Sequence, residues 1–320
     1  MDRPLVFYTH TAPAEGPDRL RPTCEVRIWP GPDRPDTGAL AREAREARAL
    51  CYFVPDIIDE AVLEQLPQLR VLAGFGKGYD NVDVAAASAR GIWVTNVPDA
   101  LTDGTADLAW MLLLGLARGL RDGDDRVRSG RFSGWSTEAR LGTAVSGKVL
   151  GIVGYGAIGR AIAARAAGFS MHVLHADVDA GTPLDDLLGR ADFIVLALPL
   201  ADATRHLIDA QRLRLIRPAA FLVNIARGSV VDEVAVADAL ERGALGGYAA
   251  DVFALEDRQY PDRPTQIDPR LLASPHTLFT PHIGTATHED RRRLAIVQAE
   301  SVLEALAGRR PSTAVNDLRL

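Results

Sequence analysis

Three short runs carry the residues best suited to chemistry: NIARGSVVDE (224–233), DVFALED (251–257) and TPHIG (280–284). They contribute Arg227, Glu256 and His282. A guanidinium holds an anion with a planar two-pronged fork. An imidazole takes or gives a proton near neutral pH. A carboxylate beside it fixes the ring's orientation and favours its charged form. Together these are the parts needed to dehydrogenate an anionic substrate. Taken singly, each has a blander reading: a surface ion pair for Arg227, a satisfied core histidine for His282, a loop carboxylate for Glu256. The joint placement decides between them, because Arg227, Asp251 and His282 each close an apolar strand-like run, and open parallel sheets bind ligands at the carboxyl ends of their strands.

The hydride partner is legible upstream, in VLGIVGYGAIGRAIA (149–163). Gly154, Gly156 and Gly159 follow an apolar strand and open a helix through Ala157 and Ile158. The first glycine permits a tight turn, the second lets a pyrophosphate approach the backbone, and the third lets helix and strand pack closely. Asp177 ends the next strand, 18 residues after Gly159. An acid there bonds the ribose hydroxyls and repels a 2′-phosphate, which predicts NAD rather than NADP. Only seven residues, VDAGTPL, separate Asp177 from the helix DDLLGRAD. A crossover with another strand needs about a dozen, so the third strand of the usual nucleotide-binding unit is expected to be missing or vestigial.

The elements that must position these residues alternate between strand and helix. PLVFYTH (4–10), CEVRIWP (24–30), CYFVPD (51–56), LRVLAGFG (69–76) and GIWVTNVP (91–98) read as strands. AREAREARAL (41–50) and DEAVLEQLP (59–67) read as helices, the second capped by Asp59. A long, nearly all-apolar helical stretch follows from Ala100, expected to be buried between domains or against a second subunit. A second run of strands begins at VLGIVG (149–154), and EDRRRLAIVQAESVLEALAG (289–308) is a closing helix. The fold class is α/β: two Rossmann-like, doubly wound parallel-sheet domains. Residues 1–100 and 284–320 form a discontinuous substrate domain, with the NAD-binding domain, 101–283, inserted.

Composition agrees with a globular enzyme. The chain has 320 residues, 47% hydrophobic, with net charge −6. The acidic balance argues against nucleic acid as a partner. No run is long enough for a membrane span, and no signal peptide is legible. Cys24 and Cys51, without metal-like spacing, suit a reducing cytoplasm and read as core residues. No metal cluster is expected. Of the 36 basic side chains only Lys77 and Lys148 are lysines. Lys77 lies in the glycine-rich loop GFGKGYDN, whose amides suit an anion. Lys148 precedes a strand and reads as structural, and Arg291 to Arg293 read as a solvated helix face.

These motifs, with GFGKGYDNVDV (74–84), LALPL (196–200) and GYAADVF, resemble the D-2-hydroxyacid dehydrogenase superfamily over nearly the whole chain. PDALTDGTADLA, VRSGRFSGW (127–135), DRPTQIDPRLL (262–272) and the long stretch between Glu256 and His282 resemble most closely the phosphonate (phosphite) dehydrogenases. The resemblance implies an NAD-dependent oxidoreductase in which Arg227 binds the substrate anion, His282 is the base and Glu256 its partner. It implies Lys77, Gly78, Thr105, Trp135 and Arg140 around the substrate, with Trp135 lent across a homodimer or simply packed in its interface. Leu198, Pro199, Ala226 and Asp251 then join Gly154, Gly156, Ala157, Ile158, Gly159 and Asp177 against the cofactor. Val54, Arg140 and Ala226 depart from the phosphite pattern, all on the substrate side. A hydroxyacid dehydrogenase or 2-oxoacid reductase of the glyoxylate, hydroxypyruvate or phosphonopyruvate type is the alternative. An NAD-sensing corepressor without turnover is a third reading, against which the intact triad counts.

Overall fold

The computed structural model describes residues 3–31, 33–137, 141–178 and 180–318. The chain divides into two compact units, Met1–Leu101 with Thr285–Leu320, and Thr102–Gly284.

In the first unit, β1 (Leu5–Tyr8), β2 (Glu25–Ile28), β3 (Ala47–Tyr52), β4 (Val71–Gly74) and β5 (Trp93–Thr95) make one parallel sheet in the order β2-β1-β3-β4-β5. β1, β4 and β5 are buried at every position. That is the pattern of a parallel sheet covered on both faces. Edge strand β2 instead alternates exposed and half-buried positions. The expected helix over 41–50 is displaced. The helix runs Thr37–Glu43, capped by Asp36, and the chain has entered β3 by Ala47. Ala47, Ala49, Leu50 and Cys51 are buried, and they pair with β1 and β4. Burial between two neighbouring strands overrides the local helical preference of an Ala–Arg–Glu repeat.

The helix His288–Leu306 packs on this sheet through Ala299, Val302 and Ala305. Arg292 and Arg293 are solvated as expected, but Arg291 is not. Its guanidinium lies 5.7 Å from the Phe75 ring centroid, and burial pushes its pKa down. The chain then returns along β5. Val315 N–H donates to Val94 O at 2.8 Å. Asn316 bolts this return in place: its Oδ1 accepts from Val94 N–H at 2.9 Å, and its Nδ2 donates to Ile92 O and Ser88 Oγ.

In the second unit, β6 (Val149–Val153), β7 (His172–Ala176), β8 (Phe193–Leu196), β9 (Phe221–Asn224), β10 (Gly247–Ala250) and β11 (Thr277–Phe279) form a parallel sheet ordered β11-β10-β9-β8-β6-β7. Among the described residues β7 is an edge. An isolated antiparallel bridge, Ala176 to Gly181, stands where a third strand would lie. The short connection thus has the expected consequence.

The apolar stretch after Ala100 is two helices, Thr102–Arg118 and Leu120–Arg128, broken at Gly119 with φ +63°. Its apolar middle is buried inside its own unit. Leu112 and Leu113 are covered, and Trp110 stacks on Phe169 while donating to Ile162 O. The second helix buries nothing. No helix among the described residues is long and apolar enough to cross a membrane.

Asn316→Ala strips partners from a buried amide of β5 and from the Ile92 carbonyl just before it. It is expected to lower the unfolding free energy by about 1–3 kcal/mol in urea denaturation. A loss below about 0.5 kcal/mol would contradict this role of the returning chain.

Candidate active site

The glycine fingerprint has the shape that a dinucleotide needs. Gly154 adopts φ +90°, and a Cβ there would meet Ala197 O at 2.5 Å and Leu198 Cβ at 2.9 Å. A Cβ on Gly159 would stand 2.1 Å from Gly154 O, so helix and strand touch backbone to backbone. At Gly156 a Cβ would meet nothing within 4 Å. Gly156 also starts the helix Ala157–Ala166, and no side chain caps its first amides. Amides pointing from a helix N-terminus into open space fit a pyrophosphate. Asp177, exposed at the end of β7, accepts from Tyr155 N–H at 2.6 Å and Val178 N–H at 2.8 Å. Those amides hold its carboxyl below the usual range, so it is ionised. Leu198 is half-buried and Pro199 exposed just after β8, while Ala226 is buried after β9.

His282 and Glu256 meet. His282 Nδ1 and Glu256 Oε2 are 2.6 Å apart, both side chains about three-tenths exposed. Glu256 is itself fixed, because its Oε1 accepts from Phe253 N–H at 2.8 Å. With Nδ1–H donated to the carboxylate, Nε2 is the nitrogen left to exchange a proton with a substrate. The backbone at His282 is left-handed, φ +55°, a conformation that costs a non-glycine residue about 1–3 kcal/mol.

Asp251 holds that conformation. Its Oδ1 accepts from Thr280 Oγ1 at 2.6 Å and Ile283 N–H at 2.8 Å, and its Oδ2 from Gly284 N–H at 2.8 Å. Its carbonyl accepts from His282 N–H. Burial pushes the Asp251 carboxyl pKa up, while these bonds and the nearby imidazole pull it back. Asp251 is therefore a clasp around the histidine, a role its sequence position did not announce. Thr105 is buried beside it, its Oγ1 3.4 Å from Gly284 O.

Arg227 follows β9 and begins the turn Gly228–Val230. Asn224 ties off this corner, accepting from Ala226 N–H and donating to Arg227 O at 2.8 Å. The corner abuts the turn Ala254–Glu256: a Cβ on Gly228 would lie 1.8 Å from Phe253 C and 1.9 Å from Ala254 N. Only glycine allows that approach. Two buried carboxylates lock the turns in opposite directions. Asp257 Oδ2 accepts from Ser229 N–H at 2.7 Å, and Glu233 Oε1 accepts from Ala254 N–H at 2.8 Å. Glu233, Asp257, Asn224 and Thr280 escaped the sequence reading. The available signal was polarity embedded in apolar runs, as in VVDEVAV.

Lys77 and Gly78 belong to the first unit, half-buried in the loop after β4, where Asn96 Nδ2 donates to Lys77 O. Val54, also in that unit, is partly exposed. Trp135 is 88% exposed in an irregular segment of the second unit. Arg140 lies outside the described residues.

Comparison with known proteins supplies the lineage. Residues 110–284 match the model of the D-isomer specific 2-hydroxyacid dehydrogenase NAD-binding domain. Glyoxylate reductases of Thermococcus kodakarensis and Pyrococcus furiosus are 40% and 39% identical, each alignment covering 98% of this chain and 96% of the relative. A protein of Thermus thermophilus superposes with TM-score 0.88 at 38% identity, over 98% of this chain and all of the other. An NADPH-dependent glyoxylate/hydroxypyruvate reductase of Sinorhizobium meliloti, in complex with NADP and malonate, superposes at 0.85 with 27% identity, over 98% and 97% of the two chains. The narrower expectation of a phosphonate dehydrogenase is overturned, since these relatives are glyoxylate reductases or 2-hydroxyacid dehydrogenases. The physical reason is that the phrases behind it mostly build scaffold, such as the helices Thr102–Arg118 and Pro269–Ala273. Val54, Arg140 and Ala226 were the positions that departed. With an NAD-binding domain that fits its cofactor and relatives aligned end to end, the chain belongs to the D-isomer specific 2-hydroxyacid dehydrogenase family and is an NAD(P)-dependent oxidoreductase.

Proposed function

We propose that this enzyme reduces a small 2-oxo acid of the glyoxylate or hydroxypyruvate kind to the 2-hydroxy acid, and runs the reverse reaction when product is in excess. The observation that carries this reading is the 2.6 Å contact between His282 Nδ1 and Glu256. It leaves one ring nitrogen for a proton that must reach a carbonyl oxygen. The names of the full-length relatives supply the substrate class.

The roles divide by chemistry. Arg227 binds the substrate carboxylate through its fork. His282 Nε2 gives a proton to the 2-oxygen as that oxygen gains electrons, and takes it back in the oxidation. Glu256 orients the ring and stabilises its cationic form. The nicotinamide, when bound, supplies or accepts the hydride at the substrate's C2. Gly154, Gly156, Ala157, Ile158 and Gly159 would hold its pyrophosphate, Leu198, Pro199 and Ala226 line its path, and Asp177 hold its ribose. A negative Asp177 opposes a 2′-phosphate, so NADH is the preferred reductant. Asp251 acts here through the histidine backbone, since its oxygens are engaged with the chain. Lys77, with the amide of Gly78, is a second anion ligand on chemical grounds, and Thr105 and Arg140 complete the set. A cytoplasmic setting, supported by the two buried free thiols, belongs to the same reading.

A homodimer is also part of this reading. Leu120, Val127, Phe132, Trp135 and Leu141 are all more than half exposed within one stretch of sequence. Apolar side chains gathered so closely suit a partner surface. A second copy of the chain, with Trp135 lent to the neighbouring site, is the occupant proposed.

Purified enzyme should oxidise NADH with glyoxylate or hydroxypyruvate, and faster than it oxidises NADPH. His282→Ala should lower kcat by about a hundred- to ten-thousand-fold, while Arg227→Ala should raise KM and lower kcat together. No 2-oxo acid turnover in the wild type, or near-normal turnover in His282→Ala, would refute the reading. Sedimentation equilibrium at micromolar protein should return twice the monomer mass, and Phe132→Asp combined with Trp135→Asp should shift it toward monomer. A monomeric wild type would remove the dimer.

A further inference from the structure

Glu233 is a buried carboxyl for which the proposed reaction has no direct use. It opens the helix Glu233–Glu241, is 6% exposed, and reaches across to the neighbouring turn, where Oε1 accepts from Ala254 N–H at 2.8 Å. Ala254 begins the three-residue turn that ends in Glu256. A side chain that anchors the first residue of so short a turn sets the position of the last. Glu256 in turn grips His282.

Three carboxylates and a phenol face Glu233. Glu256 and Asp257 face it from the turn, Asp268 from the start of the helix Pro269–Ala273, and the Tyr248 phenol from β10. Asp232 precedes it on its own element, its carboxylate taken by Ala235 N–H. Asp268 is engaged by Arg270. Burial first, then these negative neighbours, push the Glu233 carboxyl up to about 7, with the Ala254 amide pulling the other way. It therefore changes charge in the working range of an imidazole.

We propose that Glu233 is a positioning residue for the proton-transferring pair, fixing the Glu256 turn through Ala254 and setting through its own charge how firmly His282 keeps its proton. The inference rests on the assignment of His282 and Glu256 to 2-oxo acid reduction. Ionised, Glu233 places a second negative charge behind Glu256 and favours the imidazolium that reduction requires. Neutral, it withdraws that support but keeps its hydrogen bond.

Two variants separate the bond from the charge. Glu233→Gln keeps an acceptor for Ala254 N–H and cannot ionise, whereas Glu233→Ala removes both. In the Gln variant, kcat for glyoxylate reduction should stay within about threefold of wild type on its acid plateau. Its alkaline limb should move to lower pH by about half a unit. The Ala variant should lose about tenfold or more at every pH. A purely structural residue would leave the Gln profile unmoved, and that result, or a wild-type kcat in the Ala variant, would overturn the proposal.

Thermal unfolding without substrate keeps this test separate from the reaction assignment. A carboxyl raised in the folded state gives stability that is full below its unfolded value, the ordinary 4.5, and fades as pH rises through about 7. The Tm of wild type relative to Glu233→Gln should therefore fall between about pH 5 and pH 8. If that difference is flat, the proposal fails whatever the substrate. If it falls while no 2-oxo acid is turned over, the reaction assignment fails and the titrating carboxyl stands.

Discussion

Everything at this site depends on one backbone position. His282 sits in a left-handed conformation that a histidine does not choose, and the carboxylate of Asp251 holds the chain there by gripping Thr280, Ile283 and Gly284. That grip aims the ring at Glu256, leaving Nε2 free for chemistry. The strain is local, and the restraint comes from the end of a buried strand. A loop alone could not hold a ring to the tolerance that proton transfer needs. Here the loop is in effect an extension of β10.

The second constraint is the contact between two turns. Arg227 and Glu256 come from different strands, and their relation rests on the backbone approach of Gly228 to Phe253 and Ala254. Asp257 and Glu233 close that contact from opposite sides. Burying a carboxylate is costly unless it is hydrogen-bonded. Each here accepts an amide that the turn would otherwise leave orphaned, so the penalty and its compensation fall at the same place. The turns that carry Arg227 and Glu256 thus form one piece.

Much of this was legible in the sequence, for physical reasons. Central parallel strands are apolar at nearly every position, so their ends could be located, and Arg227, Asp251 and His282 stood out as polar residues at those ends. The glycine fingerprint was legible because Gly154 and Gly159 answer to steric demands of the chain, while Gly156 leaves open space for a pyrophosphate. The seven residues after Asp177 were too few for another strand, and β7 is an edge among the described residues. The AREAREARAL repeat misled, because pairing of Ala47–Tyr52 between two buried strands outweighs helix propensity. The buried acids were missed for a related reason. Glu233 looks like an ordinary first-turn acid, and only tertiary structure reveals the amide that it meets. Substrate preference was misjudged because scaffold phrases outnumber the few side chains that touch a substrate.

The central claim is that His282 offers Nε2 to the substrate because Glu256 and Asp251 leave it no other arrangement. Nitrogen-15 NMR of the labelled histidine ring, assigned with His282→Ala, reads this directly. Neutral His282 should keep its proton on Nδ1, with Nε2 bare, and Glu256→Gln should disturb this preference. A ring that carries its proton on Nε2, or that averages between tautomers in the wild type, would contradict it.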